Sequence, residues 1–186
     1  MALAGKCGTS LPHHKVRISA GAREDLRMWC TYLEDFNGVS ISSVRAVQNW
    51  DLQVQSDAAG EKGFGLYWNG HWCAEEWPSD WKKGKKSIAF LEFFPLLVAL
   101  VLWGDWFVEK KVVFLVDNMA VVEIVNRQSA RDIEVLRLLR WFVHECLVRN
   151  IVFRARHVAG IKNDIADALS RFQWKRFRGL ALEADE

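Results

Sequence analysis

The sequence has few cysteines, and no two of them are close neighbours. Cys7, Cys30, Cys73 and Cys146 lie far apart and form no Cys-x-x-Cys motif, which makes reduced thiols in an intracellular protein the expectation. No His/Cys cluster is present, so zinc is not expected. The chain does not open on a basic stretch followed by an apolar one, so no secretory signal is expected. The longest apolar run, IAFLEFFPLLVALVLWGDWF, is broken by Glu92, Pro95 and Asp105, so it reads as a buried helix and no membrane association is expected. Internal repeats and low-complexity segments are also lacking.

Charge is sparse in sum but uneven in place. The net charge is +2, yet residues 1–49 carry six basic and four acidic groups, 50–107 five and eight, and 108–186 fourteen and eleven. An acidic middle between basic ends suits an acidic site in a protein that meets a polyanion. With 186 residues, 51% apolar and 26% charged, the chain suits one globular domain with an appendage.

Periodicity divides the chain into three parts. Residues 1–49 hold an arm of about twenty residues and then AREDLRMWCTYLEDF, where Leu26, Trp29, Leu33 and Phe36 fall at helical spacing. Asn37-Gly38 should stop that helix. From residue 50 the period becomes two: WDLQVQSD, GFGLYWNG and HWCAEEW predict three antiparallel strands, with Asn69-Gly70 as a hairpin turn. A loop (WPSDWKKGKK) leads to a helix over 90–106, a strand over 112–117, helices over 119–127 and 132–149, and a strand over 151–156. A last helix, with Asn163 as its expected cap, completes the main domain at residue 172. Residues 173–186 form a basic and aromatic, then acidic, tail. The order β-β-β-α-β-α-α-β-α predicts an α/β fold. Its mixed five-stranded sheet has three antiparallel strands followed by parallel ones, flanked by helices.

Acids punctuate this domain at its strand and helix boundaries. Asp57 ends the first strand, Glu92 opens the long helix, Asp117 ends the fourth strand, and Asp164 and Asp167 open the last helix. Asp57 before Ala-Ala-Gly also suits a turn, and Asp117-Asn118 also suits a helix cap. Glu92 is harder to assign to structure alone, because it sits inside IAFLEFFPLL where burying a charge is costly. If the strands of Asp57 and Asp117 are neighbours, their acids project from one sheet edge, where open α/β sheets bind ligands. Converging carboxylates repel unless cations neutralise them, and oxygen-only ligands point to a hard cation, Mg²⁺ or Mn²⁺.

The motifs SDAAG, LEFFPLLVAL, VDNMAVV and HVAGIKNDIADALSR resemble the ribonuclease H domain of reverse transcriptases. Within that family they are most similar to DIRS-like retrotransposons, which carry a tyrosine recombinase. The resemblance covers residues 52–172, and LRMWCTYLEDFNG resembles the connection between polymerase and ribonuclease H in those elements. It implies a ribonuclease H-like fold and endonucleolytic cleavage of the RNA strand of RNA–DNA hybrids. Two Mg²⁺ ions (or Mn²⁺) would be held by Asp57, Glu92, Asp117 and Asp167. His157 falls where the family keeps a histidine that assists proton transfer or product release. On family spacing Asp167 is the ligand, and Asp164 is a first-turn acid complementing the helix dipole. Ala58-Ala59 and Asn118 depart from the commoner Gly-Ser and Ser. The segment between Asp117 and Asp167 lacks a long basic insertion, so a linked polymerase domain is expected to supply contacts to the hybrid.

For phosphate contact the candidates are Lys62, Lys82, Lys83, Lys85, Lys86, Arg127, Arg131, Lys175, Arg176 and Arg178, with Asn118 beside the third acid. RFQWKRFRG interleaves Phe172, Trp174 and Phe177 with basic residues, which suits either stacking on bases or packing of the last helix. Trp103 and Trp106 are expected in the core. KKGKK suits a solvated loop or a nuclear-localisation patch, so the expected location is cytoplasmic, nuclear or both. The competing reading is a silent or domesticated module that keeps the fold and only binds nucleic acid or a partner. An integrase-type enzyme would place its glutamate last in chain order, not second.

Overall fold

The computed structural model describes residues 17–35, 38, 49–82 and 85–185. The chain divides into two compact units, Met1–Gly38 and Val39–Glu186. The first contains helix α1 (Ala20–Glu34), begun by Ser19, whose hydroxyl accepts from the Ala22 amide at 3.2 Å. The expected spacing is present, and it leaves Leu26, Trp29 and Leu33 exposed. Phe36, Asn37 and most of the expected 1–20 arm lie outside the described residues.

In the second unit, strands β1 (Leu52–Ala59), β2 (Gly63–Trp68), β3 (His71–Glu76), β4 (Lys111–Val116) and β5 (Val152–His157) form one sheet in the order β3-β2-β1-β4-β5. β1, β2 and β3 pair antiparallel, while β4 and β5 join β1 in parallel. Between them run α2 (Ile88–Trp103), α3 (Met119–Arg127) and α4 (Ile133–Val148), and after β5 come α5 (Asp164–Ser170) and α6 (Trp174–Leu180). The mixed sheet expected from the hydrophobic pattern is present with its strands in that order.

Strand alternation sorts the residues into two cores. Val54, Phe64, Leu66, Val112, Phe114, Val116, Phe153 and Ala155 pack with Leu96, Leu100, Val121, Leu139 and Phe142 of α2–α4. Each of these Val, Leu and Phe side chains contributes about 1.5–3 kcal/mol on burial. The run Ile88–Phe107 is long and apolar enough to cross a bilayer, but Phe93, Leu96, Ala99 and Leu100 are fully buried inside the protein. It forms the core helix. The helix starts at Ile88, capped by Ser87, and tightens at Gly104 into a single 3₁₀ turn, Gly104–Phe107. Trp103 is buried as expected. Trp106 instead is 54% exposed, because the tightened turn swings it outward against Trp68 and His71.

The second core lies on the opposite face. Tyr67, Ala168, Leu169, Phe177 and Ala181 gather there under α5 and α6. Residues 174–180, expected within a tail, therefore form a helix pinned by the fully buried Phe177. Gly65 permits this layer to sit close: a Cβ there would fall 2.5 Å from the Ala166 carbonyl oxygen and 2.7 Å from the Ser170 amide nitrogen. The exposed edge at β5 is closed by Asn126 of α3, which donates to the Ala155 carbonyl (2.9 Å) and accepts from its amide (3.0 Å).

Candidate active site

The register of the sheet brings the first two aspartates together. Ser56 lies opposite Val116 in the parallel pair, so the next residues, Asp57 and Asp117, emerge side by side at the C-terminal edge of β1 and β4. Glu92 joins them from the second turn of α2. One carboxylate oxygen from each of Asp57, Glu92 and Asp117 lies within 4.8 Å of the others. Asp57 and Glu92 are buried and Asp117 is partly exposed, so the cluster has a closed floor and an open mouth.

Such a grouping is electrostatically unfavourable by itself. Burial, followed by the charges of Asp57 and Asp117, pushes the Glu92 carboxyl up to about 9. Asp57 is also raised. Its burial dominates, a hydrogen bond from Ser170 opposes it, and the charges of Asp117 and Asp167 add to it. The Ser170 hydroxyl donates to Asp57 Oδ2 from a fully buried position on α5. Glu92 Oε2 is buried with no hydrogen-bond partner among the described residues. Three convergent oxygen donors, one of them orphaned, fit a hard divalent cation.

Asp167 does not join the three. Its Oδ1 accepts from Arg171 Nε at 2.6 Å and its Oδ2 from Arg176 at 2.5 Å. Burial raises this carboxyl, but the two arginine hydrogen bonds outweigh burial and hold it below the usual carboxylate range. Asp164 sits one turn earlier and also takes Arg176, at 2.5 Å.

Asn163, the expected side-chain cap of α5, makes no capping bond. Its backbone is not in the extended conformation that a capping side chain needs. Its amide instead donates to the Ser56 carbonyl at 2.8 Å, tying the start of α5 to the residue before Asp57. The sequence reading also missed Ser170 and Arg171, although both lie in the ADALSR motif it singled out.

The remaining candidates are scattered over the domain, and not all of them lie at this edge. His157 is exposed at the end of β5, paired with Val116 and so beside the strand end that carries Asp117. Lys62 is exposed on the β1–β2 turn, and Lys175 is exposed in the first turn of α6. Asn118 is occupied as the cap of α3, its Oδ1 accepting from the Ala120 amide at 3.0 Å and the Val121 amide at 3.4 Å. Arg127 is exposed at the end of α3, 3.6 Å from Glu123. Arg178 donates to the carbonyls of Ala184 and Asp185 and lies over Trp72, so its guanidinium fastens the C-terminal segment. Lys86 pairs with Glu134 at 2.5 Å and covers Phe90, and Lys82 pairs with Glu76 at 3.1 Å. Lys83 lies outside the described residues.

With this geometry in place, solved structures offer a comparison. The chain is similar to ribonuclease H1 of the halophilic archaeon Halobacterium salinarum NRC-1 (16% identity, TM-score 0.46, covering 67% of this chain and 96% of that one). It is similar to the N-terminal RNase H domain of a Mycobacterium tuberculosis protein, solved as a fusion with maltose-binding protein (16%, TM-score 0.49, 65% and 96%). A ribonuclease H1 isolated from compost by a metagenomic approach is a third (20%, TM-score 0.45, 63% and 89%). No family model matches the chain, and no curated protein matches it. At these identities and scores the functional reading rests on the side chains themselves.

Proposed function

We propose that the chain is a metal-dependent ribonuclease H that hydrolyses the RNA strand of RNA–DNA hybrids, as part of a retrotransposon reverse transcriptase. The observation that carries this reading is the convergence of Asp57, Glu92 and Asp117 at the open end of parallel β1 and β4, with Glu92 buried and short of a partner. Asp57, Glu92 and Asp117 would hold the cation, with Asp167 as the fourth candidate. Bound Mg²⁺ or Mn²⁺ supplies Lewis-acid activation of water and neutralises charge on the leaving oxygen of a phosphodiester.

The chain's own residues have separate tasks. The three acids make a negative pocket that a scissile phosphate enters only with cations. Exposed His157 can pass a proton between the site and solvent. Lys62 and Lys175 would bind backbone phosphates, a contact that is independent of base sequence. The polymerase linkage and the DIRS-like origin rest on the sequence resemblance, and an intracellular setting rests on the cysteine spacing.

The deciding assay is a labelled RNA–DNA hybrid incubated with the protein and Mg²⁺. The RNA strand should be cut, with EDTA or Asp117→Asn abolishing cleavage. Intact hybrid that is nonetheless bound would replace this reading with the silent, binding-only module.

A further inference from the structure

Asp167 is the one acid of the four whose two oxygens are both engaged. Arg171 takes Oδ1 from the end of α5, and Arg176 takes Oδ2 from α6. Arg176 also reaches Asp164 through its other terminal nitrogen and Gln173 Oε1 through the first, at 3.0 Å. Its backbone is held in place, because the next residue, Phe177, is fully buried in the second core. A divalent cation approaching either Asp167 oxygen would meet a guanidinium already bonded to that atom, and the like charges repel. Each oxygen keeps a second lone pair, but the two guanidiniums oppose a cation there, so Asp167 serves the cluster only weakly until at least one arginine leaves.

Both arginines can leave. Their side chains are 47% and 39% exposed, whereas that of Asp167 is 24% exposed. Guanidinium binds phosphate through paired hydrogen bonds, as it binds carboxylate. A nucleic-acid backbone at this edge offers such phosphates beside the acidic cluster. Resting on the nuclease reading above, we propose that Arg171 and Arg176 form a phosphate-released latch on Asp167. The latch keeps the fourth carboxylate ion-paired until backbone phosphates take the guanidiniums. Metal binding and hybrid binding are thereby coupled, and each strengthens the other by the same factor.

The test uses the full chain and reads Mn²⁺ binding, not turnover. Free Mn²⁺ is followed by electron paramagnetic resonance, with and without a hybrid whose RNA strand is 2′-O-methylated. The parent should bind Mn²⁺ several-fold more tightly when the hybrid is present. Arg176→Gln and Arg171→Gln should bind Mn²⁺ alone about two- to tenfold more tightly than the parent and gain little more from hybrid. Arg176→Lys, which keeps the charge, should stay near the parent. Folded variants that bind Mn²⁺ no more tightly than the parent overturn the latch and leave the arginines as a staple between α5 and α6. Parent Mn²⁺ binding that is absent, or unaffected by Asp117→Asn, overturns the nuclease reading and the latch together.

Discussion

Glu92→Gln should make the metal-free protein more stable, and increasingly so as pH rises. In the folded chain this carboxyl is pushed from 4.5 up to about 9, first by burial and then by Asp57 and Asp117. Below the lower value both folded and unfolded states hold the proton, and the residue costs nothing. Between the two values the unfolded chain gives up the proton and the folded chain keeps it. Stability then falls with rising pH by about 1.4 kcal/mol per unit, and it levels off above the higher value. Glutamine has a similar shape and does not titrate, so the variant lacks this slope. Across about three pH units, from about 5 to about 8, the variant's advantage should grow by roughly 4 kcal/mol. Asp57, raised in the same direction, leaves a residual slope in both proteins.

The measurement is urea unfolding followed by tryptophan fluorescence in EDTA at several pH values, comparing free energies of unfolding at equal m. Added Mg²⁺ should flatten the parent's slope by stabilising the ionised cluster, and should do little for the variant. A variant that is less stable than the parent at every pH, or an advantage that does not change with pH, would refute the idea that the three acids are packed at electrostatic cost.

Four further outcomes follow from single contacts. Gly65→Ala should destabilise the fold by about 1–3 kcal/mol, because the new Cβ collides with the backbone of α5; chemical denaturation checks this. Asn163→Ala removes the donor to the buried Ser56 carbonyl and should cost about 1–3 kcal/mol in the same experiment, with cleavage falling alongside as Asp57 loses its support. Phe177→Ala should cost about 3–5 kcal/mol, a loss that a separate, unpacked tail would not show. In the hybrid-cleavage assay, Asp167→Asn should lose most activity and Asp164→Asn keep most of it; equal losses would show that Asp167 has no special place among the acids.

The sequence exposed the strands because their alternation reports a two-faced sheet. It pointed to Glu92 because a charge inside an apolar run has few structural uses, whereas Asp57 and Asp117 also suited a turn and a cap and drew notice only as members of an ordered set. Contacts made across the fold were not legible in this way. Asn163 reads as a cap from its place before a helix, yet the partner that claims it, the Ser56 carbonyl, lies 107 residues away. Ser170 is likewise 113 residues from the Asp57 carboxylate it serves. Trp106 follows the helical spacing of Trp103, but Gly104 tightens the turn between them and sends it to the surface. The same distinction governs Asp167. The family resemblance implies a fourth ligand there, while its ionic state depends on Arg171, four residues on, and on Arg176, delivered by a helix that the periodicity did not separate from the tail. A carboxylate's place in a motif thus establishes which element carries it. Whether it faces a cation or an arginine is decided by the helix packed beside it, and for Asp167 that choice is open to any phosphate able to draw the arginines away.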